Sequence, residues 1–373
     1  MDDPRRFPDA AAAPDDLARL HRLAEASQAA ATGRDADARD AELGAALDAL
    51  LQPGRGDALA ALFATAPSVA VYRHLWRLLA VRERAGAPDP DNVVRLFAIP
   101  VVVVTGIEGS DVARATLPEA LADASALVAL LREHGALGGH QSIALSNALA
   151  GADALDLARL PDLLAWRTPG ETARALPPAP IVVAAGAESV HLRFLVGSVV
   201  AAPGTDPLRD ATVGRWGIPL AQWLARSLAA PGATVLALPR APQPLSTALV
   251  QGRLAQREVS AQIFASNAIR KLRSATGEPT AMISVHRLDA PEGAGEVRLS
   301  LSSPFDPKAA EGFRCPLYPG DRVDDLVQML TTLLAACRVS DVRLQPGIHG
   351  DRDPATGLTL LFKGEGVPLA TLH

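Results

Sequence analysis

The chain has 373 residues, of which 49 % are apolar and 4 % aromatic, and a formal net charge of −5. That length holds one large domain or two ordinary ones, with a core built mostly from Ala, Leu and Val. The negative balance argues against wholesale binding to nucleic acid or to an anionic membrane. Two cysteines, Cys315 and Cys337, supply neither a disulfide framework nor a four-thiolate zinc site, and suit a reducing compartment as small buried hydrophobes.

Lys271, Lys308 and Lys363 are the lysines; arginine carries the remaining positive charge, and with abundant Ala, Gly and Pro this points to a GC-rich bacterial genome. An arginine is therefore weaker evidence here for deliberate anion recognition. The opening MDDPRRFPDA is polar and acidic, unlike a secretory signal. The most apolar stretch, 98–104, falls far below the roughly 20 residues that cross a bilayer. The longer run 181–202 is interrupted by Glu188, His191 and Arg193. The expectation is a cytoplasmic protein with no membrane span.

In chain order, residues 1–14 read as a disordered tail, and 15–88 as a helical module. Its helices carry Leu17, Leu20 and Leu23, then Leu43, Leu47, Leu50 and Leu51 up to a stop at Pro53-Gly54. A third follows over 57–64, and a fourth over 69–84 with Val71, Leu75, Leu78 and Leu79 on one side. Residues 86–91 (GAPDPD) read as a linker. The run 96–104 (LFAIPVVVV) is β-rich without alternation, which predicts a strand buried on both faces. A loop over 105–111 and a helix over 117–134 follow. Strands are expected at 181–185 and 190–200, a helix at 218–230, a strand at 234–238 and a helix at 246–273 broken near Gly252. The last third reads as strands 281–288 and 296–302, helix 323–336, and strands 341–344 and 358–362. The fold class is α/β, with α+β as its variant: an N-terminal helical bundle, then a mixed-sheet body with lobes at 92–277 and 278–373.

Segments 181–239 and 281–346 share the order strand, strand, helix, strand. At a near-constant offset, Val190-His191-Leu192 matches Val297-Arg298-Leu299, Gln222-Trp223-Leu224 matches Gln328-Met329-Leu330, and Pro239 matches Pro346. This suggests an internal ββαβ duplication, against convergence between two Ala/Leu-rich helices. A groove between such copies would favour a ligand.

Several clusters carry chemistry. Thr105, Gly106, Gly109 and Ser110, between a buried strand and a helix, could hold an anion, although no phosphate-loop or dinucleotide pattern is present and an ordinary turn would use the same residues. His140 and Ser142 follow a double glycine without a nucleophile elbow. His191 and Arg193 share one strand face, and His286 ends another strand; both sets also suit a solvated sheet face. Catalytic roles, if any, fall to His140, Ser142, His191 or His286. Arg253, Arg257 and Lys271 lie within about 40° on a helical wheel. Arg270 and Arg273 thicken this stripe, which could meet an acidic partner, phosphates or solvent; no interleaved aromatics favour bases. Asp351-Arg352-Asp353 in HGDRDPATG resembles a metal-ligand spacing but is also good turn chemistry. No metal site is expected, and the residues name no cofactor.

Two readings follow. The first is a non-catalytic binding or assembly protein that recognises a macromolecular partner, expected to be a protein. The second is an α/β enzyme acting on a small anionic substrate in a cleft between the repeated halves.

Overall fold

The computed structural model describes residues 14–29, 34–85, 87–88, 92–107, 112–138, 140–165, 176, 178–186, 188–208, 213–287, 295–306, 309–318, 321–354, 357–363 and 367–368. The expected tail therefore lies almost wholly outside the described residues, as does most of the 86–91 linker. By contacts the chain divides into two units, Met1–Gln256 and Arg257–His373. Long helix Leu245–Ala275 runs through that boundary.

Four helices open the first unit: α1 (Pro14–Ala29), α2 (Arg34–Leu50), α3 (Gly56–Ala64) and α4 (Val69–Ala85). Their leucines bury as the periodicity requires, Leu43, Leu47, Leu59 and Leu75 being inaccessible to solvent. They do not close on themselves. The same core continues into Ala98, Leu192, Phe194 and Val196 of an antiparallel sheet.

That sheet has the order β1 (Ala87–Pro88), β2 (Val93–Ile107), β6 (Ser189–Ala201), β4 (His140–Leu145), with β7 (Ala233–Pro239) also on β2. The pairings of β2 with β6 and β7, and of β6 with β4, are antiparallel. Phe97, Ile99, Val101 and Val103 alternate onto the face opposite the four helices. There they pack with Leu127 and Leu131 of α5 (Ala124–Glu133) and with Leu220 and Leu224 of α7 (Gly217–Ser227). The strand expected to be buried on both faces is therefore the middle layer of an α/β/α stack. Pro100 is tolerated inside it because its missing N–H falls between two pairings. Ala98 bonds Gln243 on one side of the gap, the β7 ladder begins at Val101 on the other, and the Pro100 carbonyl still accepts from Arg240 N at 2.8 Å.

Three local expectations change. Strand β2 extends to Ile107 and absorbs Thr105 and Gly106, which were expected in a loop. Helix α5 starts at Ala124 instead of 117, because Asp123 caps it by accepting from Ala126 N at 2.9 Å and from Ser125 Oγ at 2.7 Å. Helix α8 (Leu245–Ala275) is unbroken at Gly252. A Cβ there would lie 2.8 Å from Leu192 and 3.0 Å from the Phe194 ring, so this glycine allows close approach to β6 and does not end the helix. Strands β3 (Arg114–Thr116) and β5 (Val182–Ala184) form a separate antiparallel pair, and a short helix α6 (Leu160–Leu164) precedes β5.

In the second unit the order is β10 (Ala310–Pro316), β9 (Gly295–Ser302), β8 (Thr280–Arg287), β11 (Asp341–His349). The first three are antiparallel. Edge strand β11 runs parallel to β8, after α9 (Val323–Ala336). One sheet face is apolar: Ile283, Val297, Leu299 and Cys315 pack with Ala265 and Ile269 of α8 and with Leu326, Leu330 and Leu334 of α9.

The duplication is not reproduced in the strand pairing. Strands β8 and β9 pair with each other, but β5 pairs with β3 while β6 pairs with β2 and β4. Strand β11 lies parallel to β8, whereas β7 lies antiparallel to β2. The shared letters lie in β6 and β9 as well as in helices α7 and α9, but no common pairing goes with them, and the symmetry that suggested a groove is lost.

Candidate functional site

Thr105 and His191 are brought together by the β2–β6 register. Thr105 is 1 % exposed, and its Oγ1 shares a 3.3 Å hydrogen bond with His191 Nε2. Burial first, and the Arg193 guanidinium second, hold the imidazole below its ordinary value. Arg193 is committed to backbone: it donates to the carbonyls of Ala179 at 3.1 Å, Pro180 at 2.9 Å and Leu192 at 2.9 Å. His191 and Arg193 are half-buried, so this face is partly open to solvent. Thr105 and Gly106 pair within strands, and Gly109 and Ser110 lie outside the described residues, as does the side chain of His140. His140 pairs by backbone with Ala201, ten positions along β6 from His191, about 33 Å at strand rise. Ser142 is half-buried opposite Val200. His286 belongs to the second unit. His140 and His191, two of the catalytic candidates, are therefore not brought together.

The polar face of the second unit's sheet is the densest chemistry in the described chain. Alternation along β9 puts Glu296, Arg298, Ser300 and Ser302 on the side opposite Val297 and Leu299, and all four are buried. Arg298, wholly inaccessible, bonds the carboxylates of Glu296 and Asp351 and the carbonyls of Asp351 at 2.7 Å and Leu360 at 2.6 Å. Ser300 donates to the Phe362 carbonyl, and Arg314 closes on Glu296 at 2.9 Å. The guanidinium thus fastens the segment after β11 over the sheet, using the planar fork that only arginine offers.

Within that layer His286 is 1 % exposed. Its Nδ1 lies 2.8 Å from the Gly350 carbonyl, which can only accept, so Nδ1 carries the proton. Nε2 then accepts from Ser284 Oγ at 2.8 Å. Burial pushes the imidazole down to about 4; the Gly350 bond opposes that, while Arg298 and His349 add to it. A hydroxyl bonded to a neutral imidazole is a nucleophile–base geometry, yet both groups lie beneath the 350–362 segment. Of the HGDRDPATG run, residues 355–356 lie outside the described residues; on either side of them Asp353 N bonds the Leu358 carbonyl at 2.8 Å and Gly357 N the Asp353 carbonyl at 2.7 Å, with Gly357 at φ 68°. Among the described residues no three His, Cys, Asp or Glu side chains converge to hold a metal ion.

The basic stripe on α8 separates into members with different partners. Arg257 turns inward, 9 % exposed, donating to Asp321 at 2.5 and 3.2 Å and to the Pro316 carbonyl at 2.7 Å, with its guanidinium 5.4 Å from the Tyr318 ring centroid. It secures the loop after β10 and is not part of the surface. Arg253, half-buried, lies in the first unit. Lys271 pairs with Glu311. Arg270 and Arg273 share a concavity of about 540 Å³ with Ser266, Ile269, Ser274 and Cys337. Arg270 is oriented by Asn267 Oδ1 at 2.7 Å, and Arg273 by Glu278 at 2.9 Å and the Arg338 carbonyl at 3.0 Å.

Sequence reading missed the roles of Ser284, Glu296, Arg298 and Arg314, and named Asp351 only within a turn or metal-ligand spacing. The available signal was a strand whose every second residue is polar, followed far downstream by an acid in a turn.

No family model, curated protein or solved structure matches this chain. Among the described residues no helix is long and apolar enough to cross a membrane.

Proposed function

We propose that this protein is a non-catalytic binding or assembly protein whose second unit docks an acidic segment of a protein partner. The observation that carries the reading is the concavity holding Arg270 and Arg273. Two guanidinium groups, held by Asn267, Glu278 and the Arg338 carbonyl, sit beside two serine hydroxyls over the apolar side of Ile269. A volume of about 540 Å³ lies within the usual range for ligand sites. The Arg270 fork suits a carboxylate in two-point contact, while Arg273, which places two of its nitrogens on Glu278, adds positive charge beside it.

The test is fluorescence anisotropy of a labelled Glu/Asp-rich peptide titrated with the whole chain. Arg270 is the residue to change, because Arg273 also supports the end of α9. Binding should weaken about tenfold in Arg270→Glu and fall with added salt. Affinity indifferent to both, or tighter binding to a single-stranded oligonucleotide of equal length, overturns the reading.

A second reading, an enzyme acting on a small anionic substrate, draws on Ser284 and His286. Covalent labelling of Ser284 by a fluorophosphonate, lost in His286→Gln, would support it. An unlabelled serine in the folded chain removes it.

A further inference from the structure

On the polar face of the second unit's sheet, a reactive pair lies under a cover held by replaceable bonds. Ser284 and His286 stand two positions apart on β8, so both take the same side of the strand, and the serine hydroxyl donates to the neutral imidazole. Across the ladder Ser284 stands opposite Arg298, and His286 opposite Glu296. Buried ion pairs add little to stability beside apolar side chains of the same size. The polar lining of this layer therefore asks for a reason other than holding the fold.

The cover consists of residues 350–351 and 360–362. Gly350 accepts from His286 Nδ1 at 2.8 Å, and Asp351 offers Arg298 both its carboxylate and its carbonyl. The Leu360 carbonyl takes another Arg298 donor at 2.6 Å, and the Phe362 carbonyl takes the Ser300 hydroxyl. Apolar support is small: Leu360 and Phe362 meet Met282, and the Phe362 ring stacks over the imidazole with centroids 6.0 Å apart. The opposite face, by contrast, is packed along its length by α8 and α9. The cover is thus the lightly held side of the sheet, where local opening costs least. It is also incompletely satisfied. His349 Nε2 is buried, with its ring 4.5 Å from that of Phe362, and has no hydrogen-bond partner among the described residues. At the rim, the exposed Arg314 and the half-buried Asp351 bring the ion-pair network within reach of solvent.

We infer that Ser284 and His286 form a latent acyl-transfer site closed by the chain's own residues 350–351 and 360–362, and that its substrate is an ester bearing a carboxylate. The substrate class follows from the lock. Arg298 holds a carboxylate and two carbonyls at once, so a compound that displaces Asp351 must offer the same groups. In the open form Ser284 Oγ attacks the ester carbon, and its proton passes to His286 Nε2. The leaving alcohol takes that proton as the ester bond breaks. Water then gives a proton to the same nitrogen, adds to the acyl-serine and releases the acid, and Ser284 recovers its hydrogen from His286. The inference rests on the enzyme reading of Ser284 and His286 and supplies its regulation and substrate class. The Arg270 concavity belongs to α8, on the other side of the sheet, and is not involved.

Fluorophosphonate labelling of the full chain, with Ser284 identified by mass spectrometry, tests the closure. Wild type should label slowly, and Asp351→Ala, which removes the carboxylate from the lock, about tenfold faster or more. Ser300→Ala, which frees the other end of the cover, should also label faster, so the test survives if Asp351→Ala fails to fold. His286→Gln in either background should abolish labelling, which separates activation from unfolding. In the opened variants the half-ester para-nitrophenyl succinate should be cleaved about tenfold faster than para-nitrophenyl acetate. Wild type labelling as fast as both variants overturns the closure and leaves the enzyme reading standing. No labelling in any folded form removes the enzyme reading and the closure with it. Equal cleavage of the two esters overturns the carboxylate assignment.

Discussion

Glu83 in α4 and Ser246 in the first turn of α8 form a buried cap within the first unit. Both carboxylate oxygens lie 3.2 Å from Ser246 N, and the serine hydroxyl bonds the same carboxylate. Glu83 is only 8 % exposed. A carboxylate at a helix N-terminus answers unpaired N–H groups and the positive end of the dipole together.

Glu83→Ala removes the acceptor and leaves Ser246 N and Oγ buried without it. The expected loss is about 2 kcal/mol of stability, read as a lower urea midpoint at unchanged slope. Glu83→Gln, which keeps one acceptor oxygen, should lose less. Equal midpoints for wild type and Glu83→Ala would show that the cap contributes nothing net.

Arg298→Met deletes the charge between Glu296 and Asp351 and the donors to two carbonyls of the covering segment. Breaking a buried pair while leaving its partners costs about 3–5 kcal/mol. The covering segment should then become open to protease between 350 and 363, mapped by mass spectrometry. Arg298→Lys should not restore protection, because an ammonium cannot reach the four acceptors in one plane. Unchanged proteolysis in both variants would remove the fastening role.

His286 gives the fold a defined acid sensitivity. Its imidazole is held down to about 4 in the folded chain against an ordinary 6.5, so below 6.5 the unfolded chain takes up the proton first. The stabilisation is complete above pH 6.5 and is lost as pH falls toward 4, on the order of 3 kcal/mol in all. His191, also held below its ordinary value, acts in the same sense. Denaturation midpoints of wild type and His286→Gln should therefore converge on acidification through that window. Parallel curves would contradict the burial argument.

The two thiols should differ in reactivity. Cys315 is buried under the sheet, and burial pushes its thiol up to about 12. Cys337 is half-buried and lines the Arg270 concavity. In the folded chain an aromatic disulfide reagent should therefore modify one thiol quickly, and Cys337→Ser should abolish that fast phase while Cys315→Ser leaves it. A fast phase that survives Cys337→Ser would place the reactive thiol elsewhere.

Features set by local pattern were legible in the sequence. The leucine spacing of α1–α4 and the unalternating 96–104 run gave the helices and the doubly buried strand, since burial on one or two faces leaves a short-range signature. Strand β10 (AEGFRCP) was invisible because its residues do not alternate. The polar face of β9 misled for another reason: Glu296, Arg298, Ser300 and Ser302 have the period of a solvated face. What buries them is a segment more than fifty positions away, joined through Asp351 and the carbonyls of Leu360 and Phe362. Period-two polarity reports which side a residue takes, not what covers that side. The basic stripe was half legible: wheel angle grouped Arg257 with Lys271, but only tertiary contacts show that one points at Asp321 and the other at Glu311.

The doubly buried strand also bears on synthesis. Val93–Ile107 leaves the ribosome with its central partner Ser189–Ala201 still roughly 100 residues from completion, a wait of about 5–20 s at ordinary translation rates. Throughout that interval a β-prone stretch with successive valines has neither ladder nor second helical layer to shelter it. The nascent chain, more than the finished fold, is where this protein is most exposed to aggregation, and where a holding chaperone would alter its yield.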